Sequence, residues 1–410
     1  STIGTAGSIT TLDFQGATIT AAASGSNKAV ITVAGAGATD GWIADSQYNL
    51  FAGTSAGESR DADTCYNIGI GYSAGSALNA GDNNVFLGKQ AGKNVTTGNS
   101  NIFLGTCAGK STTTQGFNFY GGYQAGQNFN TSGNVAIGPT TLVGSATTAN
   151  NTGSCNVAVG YGGGKCVTSG SWNIFLGYFS GTRTTTGNNN FYGGYRAGCL
   201  NTTGSDNIAI GCKAGCNIGV GNCNIFLGSY SGTSSGTAAD NDASYNVALG
   251  YKTGNALTDG DGNIFLGTCA GNTTTTGCCN IAIGYDVELP SVTGNEQLAI
   301  GRGTSRWITG DSNFNVGIGT TNPTATPGAG STSILAVGIV SAYQLYGDGS
   351  NLTNVGAAAT DAWIPDSEEN LFAGTGAGAS RDSGTCFNVG IGLSAGNKLN
   401  GSSGTGAHNV

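Results

Sequence analysis

Twelve cysteines, 22 acidic residues and a single histidine are the groups through which this chain could do chemistry. The histidine, His408, lies near the end of the sequence. Ser-His-Asp and Cys-His sites need an imidazole to accept the nucleophile's proton, so neither is expected. Cys212, Cys216 and Cys223 offer three thiolates without a fourth tetrahedral ligand for zinc. Asp259 and Asp261 in an Asp-Gly-Asp-Gly run, and Asp348, are calcium candidates, but each group supplies few oxygens by itself. A glycan depolymerase needs clustered carboxylates in a groove, and the acidic residues here are scattered. Gly105–Ser111 imitates a phosphate loop one residue short, and Gly69–Ala74 matches a dinucleotide fingerprint. Neither has the strand-to-helix setting that such motifs require. The expectation is a protein without catalytic residues, cofactor or metal.

Cys199 and Cys216 stand apart from the other thiols. They are 17 residues apart and occupy the same place in a recurring phrase: Asn, aliphatic, variable, aliphatic, Gly, then a small-residue turn ending in Ala-Gly. Asn101-Ile102-Phe103-Leu104-Gly105-Thr106-Cys107-Ala108-Gly109 is a full copy. The Asn recurs from Asn49 through Asn67, Asn84, Asn101, Asn118, Asn134, Asn156, Asn173, Asn190, Asn207, Asn224, Asn246, Asn263 and Asn280, mostly in steps of 17. Gln297 replaces it once, and Asn315 begins another phrase. A fixed period of this size denotes a solenoid or repeat array.

The phrase contains too much Gly for a helix, and its core alternates with the period of a strand. In Asn173-Ile174-Phe175-Leu176-Gly177, Ile174 and Leu176 face one side and Phe175 the other. The closing Gly can turn the chain at positive φ. The reading is all-β: a β-solenoid or β-roll of stacked coils of about 17 residues, spaced roughly 4.8 Å. Sixteen coils from Asn49 to Gly319 then span roughly 75 Å. Asn101, Asn173, Asn207, Asn263 and their equivalents are expected to stack as a hydrogen-bonded ladder, or to serve simply as turn formers. At that spacing Cys199 and Cys216 fall within disulfide reach, with free stacked thiols as the alternative. Cys155 and Cys166 could close an insertion loop. Twelve cysteines suit an oxidising setting. The middle strand position is also often apolar, as in Phe86, Tyr120, Ala158 and Phe265. A strand apolar on both faces needs cover on both. One face fills the coil; the other is expected to meet further copies of the chain, preferably in a parallel homotrimer. A monomer would expose a large apolar stripe.

Charged residues make up 9% of the chain and net charge is −8. That composition provides no basic stripe for nucleic acid and no polybasic patch for anionic lipid. No apolar run is long enough for membrane insertion as a helix, and no signal peptide is visible. Residues 1–40 read as a small β segment, with Ile9–Phe14 and Lys28–Val33 as a hairpin or edge pair. Residues 41–319 form the array, with five-residue insertions near 139–155 and 229–245. Residues 320–360 read as a turn-rich linker with short strands at 333–337 and 340–346. Residues 361–410 open a second array: Asp361-Ala362-Trp363-Ile364-Pro365-Asp366-Ser367 matches Asp40-Gly41-Trp42-Ile43-Ala44-Asp45-Ser46 at an offset of 321. The sequence is expected to be a slice of a longer fibre of tandem modules. Sequons at Asn94, Asn130, Asn201, Asn272 and Asn351 arise easily in such a repeat.

Asn134-Val135-Ala136-Ile137-Gly138 and Asn207-Ile208-Ala209-Ile210-Gly211 resemble the coils of trimeric β-roll adhesin heads, which read Asn-x-Ala-Ile-Gly. Asn315-Val316-Gly317-Ile318-Gly319-Thr320-Thr321-Asn322-Pro323 and Tyr346-Gly347-Asp348-Gly349-Ser350-Asn351-Leu352-Thr353 resemble phrases of phage tail-fibre and bacterial fibre-domain proteins. The coils here are longer than in adhesin heads. The resemblance implies a homotrimeric structural fibre at a virion or extracellular surface, with a host-surface receptor or glycan as a further partner. It favours the shaft of a phage tail fibre, which extends and stiffens and contributes to attachment through its loops. The alternatives are a bacterial surface adhesin or extracellular filament, and an ice- or glycan-binding solenoid using the Thr runs at 112–114, 184–186 and 273–276.

Overall fold

The computed structural model describes residues 43–234 and 241–318 without interruption, with shorter stretches at 12–14, 17–24, 28–34, 335–337, 364–365, 371–373 and 388–391, and residue 395. The chain divides into two compact units, Ser1–Ile339 and Val340–Val410. In the first, fifteen short strands from Leu50–Ala52 to Leu298–Arg302 join in one parallel ladder, each following its predecessor by one turn of chain. This is a β-solenoid with one strand per coil. Turns carry the rest of each coil, and the described residues contain no α-helix. Gly69–Ala74 therefore runs from the middle of a strand into a coil corner, and Gly105–Ser111 is a corner.

The ladder has distinct ends. Ile43–Ala44 pairs antiparallel with the first strand. At the other end Gly303 adopts φ 55° and, with Thr304, makes a two-residue hairpin. Ser305–Gly310 thus returns antiparallel, and Val316–Ile318 pairs antiparallel with it in turn. Asn315, read as the start of another coil, is separated from the stack by this hairpin. Near the N-terminus, Ala17–Ser24 lies between Leu12–Phe14 and Lys28–Ala34, so the expected direct pairing of the outer two gives way to a three-stranded antiparallel sheet. The Ala-rich middle strand carries little β signal. Leu335–Val337 forms within the run read as a strand, and pairs parallel with Val316–Ile318; residues 340–346 lie outside the described ones. In the second unit Ile364–Pro365, Leu371–Ala373 and Val389–Ile391 pair in the register of Ile43–Ala44, Leu50–Ala52 and Ile68–Ile70.

The middle residue of each strand fills the coil. Phe86, Phe103, Tyr120, Phe175, Tyr192, Phe226 and Phe265 are fully buried there, as are the alanines at the same position. A second inward row faces them across the coil, and in several coils the two rows compensate in size. Phe175 and Phe265 share their coils with Thr184 and Thr274, whereas Ala209 and Ala248 share theirs with Ile218 and Leu257. These four coils thereby hold one large inward side chain each, whereas Tyr120 and Phe129 are both buried in a single coil. Both insertions close on buried asparagines 90 residues apart. The Asn151 amide donates to Asn128 and Ser145 carbonyls at 2.9 and 2.8 Å, and the Asn241 amide donates to the Asn217 carbonyl at 2.6 Å.

Asp45 starts the stack. Its carboxylate accepts the backbone N–H groups of Gln47 and Asn49 at 3.1 and 2.9 Å, the Asn49 side-chain amide, and Arg60 Nε at 3.2 Å. Asp311 holds Asn313 and Asn315 in the same way. Burial works to raise the Asp45 pKa, but these donors outweigh it and hold the carboxyl below its usual 3.8. A depressed folded value means stability present above the unfolded pKa and lost as pH falls through the folded one. Amide protection at Asn49 and Asn67 is accordingly expected to decline as pH drops below 3.8, and Asp45→Asn is expected to flatten that decline. Equal pH dependence of both proteins in hydrogen exchange would remove this role.

Candidate interaction face

The recurring Asn fixes how each strand is presented. Asn173 donates its backbone N–H and its side-chain amide to Asn156 Oδ1, both at 3.0 Å, and donates again to the Gly187 carbonyl at 2.9 Å. Asn101, Asn207 and Asn263 repeat the arrangement on Asn84, Asn190 and Asn246. All four are fully buried, and Gln297 extends the ladder onto Asn280 Oδ1. Two buried tyrosines lean on it, their hydroxyls donating to Asn118 and Asn190 Oδ1 at 3.1 and 3.0 Å. Burial raises the Tyr192 pKa well above the ordinary phenol value, so it stays a donor. A second ladder runs one corner earlier. The N–H groups of Ser171, Ser205 and Ser244 donate to Asn188, Asn222 and Asp261 side-chain oxygens at 2.9, 2.8 and 2.7 Å.

Beyond the strand, the closing glycine sets the corner. Gly105 has φ 133°, and a Cβ there would lie 2.5 Å from the Gly122 carbonyl oxygen of the next coil. Close stacking of backbone on backbone excludes every other residue type.

With the middle side chains inside, the flanking ones point outward. These positions, from Leu50 and Ala52 to Leu298 and Ile300, carry apolar side chains throughout except at Gly121 and Gly193, which carry none. Ile102, Ile174, Leu176, Ile210 and Ile264 are each 38–41% exposed. Fifteen strands, thirteen of three residues and two of five, give a strip of roughly 70 by 10 Å, or about 700 Å². That exceeds the largest apolar patch of an ordinary monomer, about 300–600 Å².

Aromatic rows border the strip on both sides. After the turn glycine stand Tyr72, Tyr123, Tyr161, Tyr178, Tyr195, Tyr251 and Tyr285, all exposed. Tyr161, Tyr178 and Tyr195 stack at centroid distances of 5.4 and 5.5 Å. Just before the ladder Asn, on the other border, stand Tyr48, Tyr66, Phe117, Trp172, Tyr245 and Phe314. All six adopt left-handed φ values of 57 to 64°. That conformation costs a residue with a Cβ about 1–2 kcal/mol, and Gly or Asn would fit more cheaply. Tyr48 and Tyr66 stack on each other at 5.4 Å; Phe117, Trp172, Tyr245 and Phe314 stand exposed at strained corners. Sequence reasoning did not single these positions out; the signal was their recurrence one residue before Asn.

The remaining candidates fall elsewhere. Cys199 and Cys216 are joined by a disulfide with Cα atoms 4.8 Å apart, linking successive coils. That bond consumes one thiol of the supposed zinc trio. Cys155 and Cys166 are both free and exposed, so they do not close the insertion; they sit on different corners, and the buried Asn151 does that work instead. Asp261 serves the second ladder, Asp259 is exposed beside it, and Asp348 lies outside the described residues. Among the described residues no three His, Cys, Asp or Glu side chains gather. Asn201 is fully buried and cannot serve as a glycan acceptor in the folded chain. Of the Thr runs, Thr112, Thr184 and Thr274 are buried, while Thr113 and Thr185 bond the next coil, so no flat Thr lattice forms.

No helix among the described residues is long and apolar enough to cross a membrane. No family model, curated protein or solved structure matches this chain.

Proposed function

We propose that this chain is the shaft of a homotrimeric extracellular fibre, of the kind borne by phage tails and related virion appendages. The outward strand face carries the reading: an uncharged apolar strip along all fifteen strands, bordered by aromatic rows. Its area is close to the roughly 800 Å² per partner of a stable interface. Copies of the same chain are the natural occupants, because only a partner with the same coil spacing matches the strip tier for tier. Three inward faces enclose a core and bring the strained corner aromatics of each chain over the edge of its neighbour's strip, while the hydroxyl edges of the tyrosine row stay on the outer wall. Two faces in a sandwich would leave both borders in water. The function is mechanical and not enzymatic, and the fibre contributes to host-surface attachment through its lateral walls.

The test is native mass, with and without reductant. The expected value is three times 40.4 kDa, retained in reductant because apolar contact holds the chains. The half-exposed positions permit a variant that folds: Ile102→Glu with Ile174→Glu and Ile264→Glu is expected to give a single-chain mass with an unchanged circular dichroism spectrum. A wild-type monomer would overturn the proposal.

A further inference from the structure

The chain is acidic overall, yet residues 156–223 reverse the sign. They contain four basic residues, Lys165, Arg183, Arg196 and Lys213, and one acidic residue, Asp206. Asp206 lies at the ladder corner, where its Oδ1 accepts from Asn189 at 3.1 Å. The basic residues stand on successive coils past the turn glycines Gly160, Gly177, Gly194 and Gly211, off the strand face. Arg183 and Arg196 are exposed. The one ion pair among the described residues is elsewhere, between Arg60 and Asp45.

These two arginines line a groove of about 380 Å³ with Tyr178, Phe179, Tyr195 and Leu200. That size suits a small-molecule or sugar-unit subsite. Its geometry is held firmly. Arg196 N–H donates to the Tyr178 carbonyl at 2.8 Å, Phe179 N–H donates to the Tyr161 carbonyl at 2.8 Å, and the Cys199–Cys216 disulfide fastens the floor to the next coil. Phe179 meets Tyr178 edge-on at 4.4 Å. Guanidinium groups recognise carboxylate or sulfate bidentately. The tyrosines decide between kinds of anionic polymer. Nucleobases need open aromatic faces on which to stack, but the central ring, Tyr178, is stacked on both faces, by Tyr161 and by Tyr195. What they offer is a row of phenol edges and hydroxyls, which suits a ligand rich in hydroxyl groups.

We infer that the wall of residues 156–223 binds an acidic polysaccharide, with Arg183 and Arg196 on its anionic groups and Tyr178 and Tyr195 on its hydroxyls. The site lies within one chain, so it goes beyond the trimer and does not rest on it.

Calorimetric titration of the full chain with hexagalacturonate, a sulfated galactan hexasaccharide, neutral maltohexaose and oligothymidylate tests the inference. Saturable binding of either acidic saccharide is expected, and which one binds identifies carboxylate or sulfate as the anion. Arg183→Gln with Arg196→Gln is expected to weaken it about tenfold or more, and half-molar salt is expected to weaken it similarly. Tyr178→Phe with Tyr195→Phe, which keeps the stack, is expected to weaken it severalfold. Lys110→Gln, on a distant coil, is expected to change nothing. The inference is overturned if neither acidic saccharide binds, if the arginine variant binds as well as wild type, or if oligothymidylate or maltohexaose binds equally well. Native mass measured on the same sample separates this result from the trimer: a monomer that binds keeps the site and loses the shaft assembly.

Discussion

Phe175→Ala is expected to destabilise the array by about 3–5 kcal/mol, most of it in the coils on either side. The ring is fully buried and tilts against Tyr192 at 5.9 Å. It also presses on glycine backbone: a Cβ at Gly181 would lie 2.2 Å from the ring. Nothing nearby can collapse into the space, because the neighbouring backbones are fixed by the Asn ladder. Each coil touches only the coils beside it, so the loss registers locally before it registers globally. Hydrogen exchange should show residues 156–206 opening while residues 67–118 stay protected.

The size compensation between the inward rows supplies a sharper form of the same test. Thr184 is fully buried opposite, and its hydroxyl has no hydrogen-bond partner among the described residues. Thr184→Leu alone overfills the coil and is expected to cost about 1–3 kcal/mol. Combined with Phe175→Ala, it reproduces the pairing of Ala248 with Leu257 and also removes an unsatisfied buried hydroxyl. The double variant is expected to be more stable than Phe175→Ala by about 1–3 kcal/mol. Additive losses in denaturant melts would show that the two rows do not share one volume.

That compensation also explains how far the sequence could be read. The strand, its register and the Asn ladder were legible because three independent signals share one period: Asn at one phase, alternation at another, Gly at a third. Which face lies inside was not legible from the strand alone, since Phe175, Ile174 and Leu176 are all apolar. The answer is written several residues later, where Phe175 and Phe265 meet Thr while Ala209 and Ala248 meet Ile and Leu. The strained aromatic corner escaped notice because Tyr66 and Trp172 sit among polar turn residues. The basic wall escaped because a net charge of −8 averages over a segment of opposite sign. Cys155 and Cys166 were misjudged because spacing in sequence says nothing of which corner a residue occupies, whereas Cys199 and Cys216 share a phase of the repeat and so had to meet.

Asn207 carries the other large effect, and its variants separate hydrogen bonding from charge. Its amide donates to Asn190 Oδ1 at 3.1 Å and the Gly221 carbonyl at 2.9 Å, while its Oδ1 accepts both the backbone and side-chain N–H groups of Asn224 at 3.0 Å. Asn207→Ala deletes all of these bonds and leaves the buried Asn224 backbone N–H without an acceptor. The expected cost is about 3–5 kcal/mol, since each stranded buried group costs about 1–3, and it does not depend on pH. Asn207→Asp keeps the acceptors for Asn224 but sets a buried carboxylate against Asn190 Oδ1 and the Gly221 carbonyl. Burial and these facing oxygens favour the neutral acid, so its folded pKa rises above the unfolded value of about 3.9. The folded state then binds the extra proton, and its stability is highest below the unfolded pKa and falls as pH rises through the folded one. At pH 7 Asn207→Asp is expected to lose at least as much as Asn207→Ala, and at pH 3 to recover most of it, because the protonated acid can donate to Asn190 Oδ1. Wild type moves the opposite way on acidification, as Asp45 and Asp311 lose their charge. Denaturation midpoints at pH 3, 5 and 7 decide the matter: a deficit for Asn207→Asp that stays constant across that range would mean the ladder position is solvated and does not hold the stack together.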